Sequence, residues 1–347
     1  MASIKDVAAK AGVSISTVSY VINNTKYVSD ELKKKVNDAI NELEYEVDPV
    51  ARSLKSKKTK TIGVVITNIN RIFFPQLIKG IQDYAIKNGY SLAFYNTNDN
   101  FDDEKKFVQM LESTWVDGII IDSVSEQQNE KYYKHLSSLG NDKKKIPVVS
   151  IERRLDMYGI DSVVVNNCNG GHIATKHLID NGSKNVVFIS GPASSCIVND
   201  RIAGYKEELA KENITFEMVV GGDFSPLSGY NAMKEILLDG TNIDGIFAAN
   251  DQMAIGAIKA IKENGLRIPE DIKIIGFDNT FVASIVEPSL TTINVPKYKM
   301  GSSAAELLIE RIKGNNADTI VIELPINLII RQSTDLRGEK NWDLLGW

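Results

Sequence analysis

The first sixty residues contain the most specific pattern in this chain of 347 residues. Ile4-Lys5-Asp6-Val7-Ala8 precedes Gly12-Val13-Ser14, and Ser16-Thr17-Val18-Ser19 follows, which is the pattern of two helices joined by a tight turn. A helix-turn-helix places its second helix in the major groove of DNA. Residues 48–55 then form a short basic hinge, whose Leu54 suits insertion into the minor groove. These residues predict a DNA-binding module.

The charge is divided unequally along the chain. The net charge is −5, which by itself argues against a general nucleic-acid binder. Residues 1–60 hold 11 Lys and Arg against 8 Asp and Glu, whereas the remainder holds 29 against 37. A slightly basic segment joined to an acidic body indicates a small phosphate-binding module attached to a body with another task.

Three helices are predicted within residues 1–47, the helix-turn-helix domain. Ser3 is a suitable N-cap for a helix that runs to about residue 11, with Asp6 at the capping-box position. Gly12 permits the sharp turn, and a second helix follows over residues 15–23. Ser29 caps the third helix, whose first turn is acidic, as the helix dipole favours. Residues 48–60 are predicted as a hinge helix and linker.

From residue 61 onward short apolar strands alternate with helical patterns, which is typical of βαβ units and parallel sheets. Two such series predict two doubly wound lobes, lobe 1 over about 61–162 and 294–318 and lobe 2 over about 163–293 and 319–334, with a tail at 335–347. Ligands of such folds bind at the carboxyl ends of the strands. We therefore expect a ligand pocket between the lobes. The predicted strands are 63–66, 92–95, 118–122, 148–151, 186–190, 245–250 and 274–278.

The composition favours a globular protein of a reducing compartment. No stretch approaches the eighteen apolar residues of a membrane span, and the first residues show no apolar core of a secretory signal. The two cysteines, Cys168 and Cys196, have no metal-type spacing, so we expect a cytoplasmic protein without a metal site. No cofactor is predicted either.

Taken together, these segments resemble the lactose/galactose repressor (LacI/GalR) family of bacterial transcription factors. The helix-turn-helix is closest to that of purine-responsive members, and the core resembles sugar-responsive members. The resemblance implies an α/β fold with an N-terminal helix-turn-helix three-helix domain plus hinge helix, joined to a two-lobed doubly wound core like that of periplasmic binding proteins. The segments that carry it are residues 4–8, 12–14, 17–19, 50–54, 249–254, 276–279 and 290–293.

The resemblance also implies a dimer that binds a palindromic operator. Ile15, Ser16, Thr17 and Tyr20 would then face base edges, where hydroxyls hydrogen-bond and an isoleucine packs on a thymine methyl. Much of the family has arginine at the position of Tyr20, so the outer bases of this operator are expected to differ. In the hinge, Leu54 would wedge between base pairs. Arg52 and Lys55 would lie near phosphates or the groove floor. An ordinary interdomain linker is the alternative for these three hinge residues.

For the core, the resemblance implies a small-molecule effector between the lobes. Asp278 and Arg201 would bind its hydroxyls, Asn250 would hydrogen-bond it, and Phe224 would cover an apolar ring face. Phe73 and Phe74 would line the pocket from lobe 1. Ser195 and Ile197 stand where purine-responsive members have an arginine and a threonine, which favours a carbohydrate over a purine.

Each pocket residue also has a purely structural interpretation. Arg201 could pair with an acid on a helix surface, Asp278 could cap a turn, and the phenylalanines could belong to the core. The functional alternatives are a purine-responsive repressor and a catabolite-control regulator whose partner is a phosphorylated carrier protein. A solute-binding transport protein would lack the helix-turn-helix. An enzyme is not expected, because the sequence offers no nucleophile–base pair, phosphate loop or metal cluster.

Overall fold

A computed structural model describes residues 2–23, 26–45, 59–114, 116–125, 129–141, 144–315 and 317–339. The chain divides into two compact units, residues 1–59 and residues 60–347, and each is described by itself. Within the described residues, no helix is both long enough and apolar enough to cross a membrane.

The described part of the N-terminal unit contains three helices, α1 (Ile4–Ala11), α2 (Ile15–Asn23) and α3 (Asp30–Glu42). Their small core consists of fully buried valines, one from each helix, at positions 7, 18 and 36. Gly12 ends α1 in the left-handed conformation, with φ of 65°, which a side chain would disfavour. The predicted helices are therefore confirmed. Hinge residues Arg52, Leu54 and Lys55 lie outside the described residues, as does the tail from residue 340.

The second unit alternates strands and helices along its length, as the apolar patterns predict. Its elements in chain order are β1 (Thr61–Ile66), α4 (Phe73–Lys87), β2 (Ser91–Asn96), α5 (Phe101–Ser113), β3 (Gly118–Ile121), α6 (Glu130–Ser137), β4 (Gly140–Asn141), β5 (Lys144–Lys145), β6 (Val148–Ile151), β7 (Asp161–Val165), α7 (Asn167–Asp180), β8 (Val186–Ile189), α8 (Cys196–Lys211), β9 (Met218–Val220), α9 (Pro226–Leu238), β10 (Gly245–Ala248), α10 (Asp251–Glu263), β11 (Lys273–Asp278), α11 (Phe281–Ile285), β12 (Thr291–Asn294), α12 (Lys297–Ile312), β13 (Val321–Leu324) and β14 (Asn327–Ile329).

Twelve of these strands form two six-stranded sheets, which are the centres of two lobes, and β4 and β5 form a separate two-stranded sheet. The first has the order β13-β7-β6-β3-β1-β2 and is parallel throughout. The second has the order β14-β12-β11-β10-β8-β9, in which only β14 runs antiparallel. The core strands are buried on both faces because helices cover both sides of each sheet.

The predicted lobe boundaries need one correction near the end of the chain. Residues 319–334 were expected in lobe 2, but β13 pairs with β7 in the first sheet, with Val321 opposite Ser162. Only β14, which pairs with β12, returns to lobe 2. Within the described residues the chain therefore passes between the lobes three times, after β7, after β12 and after β13.

Three helix pairs approach each other through reciprocal glycines. Gly80 of α4 faces Gly301 of α12, Gly171 of α7 faces Gly204 of α8, and Gly229 of α9 faces Gly256 of α10. A Cβ atom on any of these six residues would overlap a backbone carbonyl oxygen of the opposite helix. In these pairs backbone therefore packs directly on backbone, which fixes the positions of the side chains that flank each crossing.

We expect Gly204→Ala to lower the free energy of unfolding by about 1–3 kcal/mol, the usual cost of overpacking a well-filled interior. The added methyl would overlap the carbonyl oxygen of Cys168, which a rotamer change cannot relieve. Urea unfolding of both proteins measures the difference. Gly221→Ala is the matched control, because no atom lies within 4 Å of its added Cβ. Equal stability of the two variants would contradict this account of the crossing.

Candidate functional site

A cleft lies between the lobes, where the carboxyl ends of both sheets meet. It includes an inner cavity of about 40 Å³ and an adjoining cavity of about 240 Å³. Arg71, Asp122, Glu152, Ile197 and Phe224 line both, and Ser195 lines the larger one. The inner cavity is also lined by Phe73, Phe74, Arg201, Asn250 and Asp278. All seven effector residues predicted from the sequence thus border this cleft.

Arg201 is the most deeply held charged group of the cleft, with 2% of its surface exposed. Its Nε donates to Oδ1 of Asn167 at 2.9 Å, and Nη1 donates to the carbonyl oxygen of Ala249. Its guanidinium carbon lies 3.6 Å from the centre of the Phe277 ring. Nη2 lies 3.8 Å from Oδ1 of Asp278. The alternative of a helix-surface ion pair is therefore wrong for Arg201.

Two buried carboxyl groups face this arginine. Burial raises the pKa of Asp278 to about 7, although the nearby Arg201 lowers it in part. Burial raises the pKa of Glu152 to about 8, although the same arginine lowers it in part. Oε1 of Glu152 is buried without a hydrogen-bond partner. A buried carboxyl oxygen without a partner favours a ligand that donates a hydrogen bond to it.

The backbone of the cleft is strained at three residues that line it. Glu152, Phe224 and Asp278 have φ angles of 65°, 71° and 101°, in the left-handed region that side chains with a Cβ disfavour. Such conformations cost roughly 1–3 kcal/mol each and persist where the surrounding structure imposes them. Here they follow β6 and β9 and end β11. The strain therefore coincides with the positions that direct side chains into the cleft.

The aromatic side chains serve both as core and as cleft wall. Phe73 and Phe74 at the start of α4 are buried and meet edge to face, with ring centres 5.5 Å apart. Phe224 is also buried, and the guanidinium of Arg71 lies 4.7 Å from its ring centre. Because Arg71 belongs to lobe 1 and Phe224 to lobe 2, this contact joins the lobes. These phenylalanines therefore belong to the core and also line the cleft.

Asn250 and Gln252 fix the start of α10 at the cleft. Oδ1 of Asn250 accepts from the backbone N–H of Met253 at 2.8 Å, and its Nδ2 donates to the carbonyl oxygen of Phe224. Asn250 is thus a helix cap that also orients Phe224. Oε1 of Gln252 accepts from the backbone N–H of Ile72 in lobe 1 at 2.9 Å. A direct hydrogen bond therefore joins the two lobes at the cleft.

Four further residues that the cleft brings together had no effector role in the sequence-based prediction, Arg71, Asp122, Glu152 and Arg153. Asp122 follows β3 and accepts from the Thr67 hydroxyl at 2.7 Å. Nε and Nη1 of the buried Arg153 have no hydrogen-bond partner. Asp122, Glu152 and Arg153 come directly after buried strands, which was the available signal. Arg71 lies in a loop and gave none.

The predicted DNA-facing residues lie on the first turns of α2. Ile15 is 45% exposed, an unusual environment for an isoleucine, and Ser16 is exposed as well. Thr17 and Tyr20 are half-buried. The Thr17 hydroxyl lies 2.9 Å from that of Ser14, which also accepts from the Thr17 backbone at 3.1 Å and so caps the helix. The helix consequently presents an exposed, uncharged first turn.

Comparison with known proteins gives consistent results for both units. Residues 3–48 match the model for bacterial regulatory proteins of the lacI family, and residues 175–334 match that for a periplasmic binding protein-like domain. The chain is 37% identical over 341 residues to the HTH-type transcriptional repressor PurR of Aliivibrio fischeri, covering 97% of this chain and 99% of the relative. PurR of Pasteurella multocida is 38% identical over 97% of this chain and all of its own.

Solved structures share the whole architecture. The Lac repressor dimer bound to operator and the anti-inducer ONPF is 29% identical, with a TM-score of 0.87 over 96% of this chain and 99% of the other. The complex of the transcriptional regulator CelR with cellobiose is also 29% identical, with a TM-score of 0.70 over 96% of this chain and all of the other.

Proposed function

The chain belongs to the LacI family of bacterial regulatory proteins and is a DNA-binding repressor, and we propose that a carbohydrate bound between its lobes controls it. The repressor acts as a homodimer on a palindromic operator. Closing or opening of the lobes then alters the spacing of the two DNA-binding units. One observation carries the effector half of this proposal: Arg201, Asp278 and the unpartnered carboxylate oxygen of Glu152 converge on one cleft beside Phe224.

The chemistry of this convergence suits a neutral ligand with many hydroxyls. Each hydroxyl both donates and accepts, so it fits a cleft that offers carboxylates and guanidinium groups side by side. Asp278 supplies an acceptor, and Glu152, whose pKa burial raises to about 8, donates or accepts according to its protonation. Arg201 and Arg153 supply donors, and Phe224 covers an apolar ring face. The solved neighbour CelR is a complex with cellobiose, which supports a carbohydrate as the effector class.

A thermal-shift screen of the purified full chain with sugars, sugar phosphates and nucleobases tests the effector class. A ligand at one hundred times its Kd stabilises the fold by about 2.7 kcal/mol, a readily measured shift in Tm. We expect a sugar to give this shift and Asp278→Asn to abolish it. A shift with nucleobases alone would contradict the carbohydrate proposal.

A purine effector is the second candidate, because the curated relatives reported above are purine repressors at 37% and 38% identity over nearly the whole chain. The side chain that distinguishes the two candidates is Ile197, which lines the cleft without any hydrogen-bonding group. If a purine binds, Ile197→Thr should strengthen its binding. A regulator that relies on a protein co-regulator would respond to neither ligand class. The transcription regulator CcpA of Lactococcus lactis is a further structural neighbour, 27% identical with a TM-score of 0.71.

For the DNA-binding half, we assign base contacts to Ile15, Ser16, Thr17 and Tyr20. Exposed side chains of the first turn of a recognition helix are those that reach base edges. The hinge residues Arg52, Leu54 and Lys55 stay a prediction from the family resemblance.

We expect Ser16→Ala to weaken binding to the specific operator by about 1–3 kcal/mol, because one base-edge contact is lost. Binding to random DNA should hardly change, since phosphate contacts supply it. Titration of operator and random duplexes at two salt concentrations separates the two terms. Ser137→Ala on α6 is the control serine, and it is exposed within the core unit. An equal loss on both duplexes would refute a base contact by Ser16.

A further inference from the structure

The glycine crossing of α7 and α8 brings three metal-binding types of side chain together, and none of the three lines the two cavities of the cleft described above. Cys168 and His172 are four residues apart on α7 and therefore share one face of that helix. Glu207 comes from α8, across the crossing of Gly171 and Gly204. The thiol sulfur, a ring nitrogen and a carboxylate oxygen of these three residues all lie within 4.8 Å of one another.

The histidine of this cluster is already oriented. One ring nitrogen, Nε2, lies 3.0 Å from Oε2 of Glu207. The other, Nδ1, lies 3.1 Å from Oε2 of Glu208, whose side chain is only 3% exposed. A buried carboxylate on the far nitrogen fixes the tautomer and the plane of a metal-binding histidine, and it raises its basicity. Glu208 is itself held by Lys211 at 3.2 Å.

We propose that Cys168, His172 and Glu207 bind a divalent cation of the zinc class, with Glu208 orienting the histidine and water in the fourth position. Sulfur, imidazole nitrogen and carboxylate oxygen are the three donors that zinc prefers. Zinc bonds of about 2.0–2.3 Å keep tetrahedral donors roughly 3.3–3.8 Å apart, so small side-chain rotations close the site. His172 and Glu207 are partly or well exposed, so a cation can enter from solvent.

The site is connected to the arginine of the cleft by two short paths. Arg201 and Glu207 lie on the same helix, and Arg201 donates to Asn167, the neighbour of Cys168 in the chain. A cation that joins α7 to α8 therefore stiffens the two helices that position Arg201. The alternative is a histidine that merely forms ion pairs with two glutamates, and the two possibilities differ in their dependence on the thiol.

Titration of the full-length protein with Co²⁺ tests the proposal, because a thiolate bound to cobalt gives a near-ultraviolet charge-transfer absorption that oxygen and nitrogen ligands do not give. We expect a saturable one-to-one signal that Zn²⁺ displaces. Cys168→Ser should abolish the absorption, and His172→Ala should weaken Co²⁺ binding at least about tenfold. Glu208→Gln should keep the absorption and lower the affinity by about 10–100-fold, the usual effect of losing such an orienting group.

Matched controls are available in the same chain. Cys196→Ser removes the other cysteine, and His135→Ala removes an exposed histidine of α6, so both should leave the titration unchanged. Thermal unfolding without metal establishes that each variant is folded. An absorption that survives Cys168→Ser, that disappears in Cys196→Ser, or that is missing from the unaltered protein would overturn the proposal.

Discussion

Replacing Arg201 by lysine is expected to weaken effector binding about 100-fold or more, although the charge is kept. The guanidinium donates at once to Asn167 and to the carbonyl oxygen of Ala249 while its face lies on the ring of Phe277. A single ammonium cannot make these contacts together, because it lacks the planar fork of donors. A 100-fold loss corresponds to about 2.8 kcal/mol at 1.4 kcal/mol per tenfold change.

The same change should lower the free energy of unfolding, because each buried acceptor that loses its donor costs about 1–3 kcal/mol. Calorimetric titration with the effector found in the screen, together with urea unfolding, separates the two effects. Arg154→Lys is the matched control, since the side chain of Arg154 is 61% exposed and pairs with Asp156. Effector affinity within threefold of the unaltered protein for Arg201→Lys would contradict a contact by this arginine.

Asp278→Asn should have the opposite effect on stability and a similar effect on binding. The amide keeps the shape of the carboxylate but loses its charge and one acceptor, so effector affinity should fall about 100-fold, as charge-assisted hydrogen bonds are the strong ones. The free energy of unfolding near neutral pH should rise, because burial makes the carboxylate costly to ionise and the nearby Arg201 offsets only part of that cost. Loss of binding with gain of stability is the signature expected of a binding residue.

The pH dependence follows from the same group. Burial raises the pKa of Asp278 from 3.8 to about 7, so between these values the folded chain holds a proton that the unfolded chain has released. Stability from this group is therefore fully present below about pH 4 and is lost as the pH rises through 7. Burial raises the pKa of Glu152 to about 8, so this group also lowers the free energy of unfolding as the pH rises.

Urea unfolding of the free protein from about pH 5 to about pH 8 measures this slope. Asp278→Asn should make the free energy of unfolding depend less steeply on pH, and adding Glu152→Gln should reduce the remaining slope. Asp271→Asn serves as the control, since hydrogen bonds from Arg267 lower the pKa of Asp271 to about 2, below the range tested. A slope that is unchanged in both cleft variants would mean that these carboxyl groups are not responsible for it.

The sequence was informative wherever a local pattern determines the outcome. The three N-terminal helices lie where Ser3, Gly12 and Ser29 indicate, because caps and turns act on neighbouring residues. Arg201 and Asp278 were identified from the family resemblance, and both border the cleft. Nothing local indicates that β13 joins the first sheet, since strand pairing depends on residues more than 150 positions away.

Other features of the site were beyond local patterns for a physical reason. The positive φ of Glu152 is imposed by its surroundings, because glutamate itself does not favour that region. Cys168 and His172 have a spacing that could be noticed, but Glu207 is 35 residues further along and meets them only because two glycines let the helices touch. Tertiary packing assembles both the cleft and the proposed metal-binding cluster, and a local sequence pattern does not reveal it.

The reciprocal glycines also have a mechanical consequence for signalling. A helix pair separated by side chains can slide, because leucine and methionine have several rotamers, but a pair in backbone contact has no such slack. Each lobe should therefore move as a rigid body when a ligand binds, with little internal adjustment. A change in the opening of the cleft should then be taken up mainly by the three segments that cross between the lobes in the described part of the core.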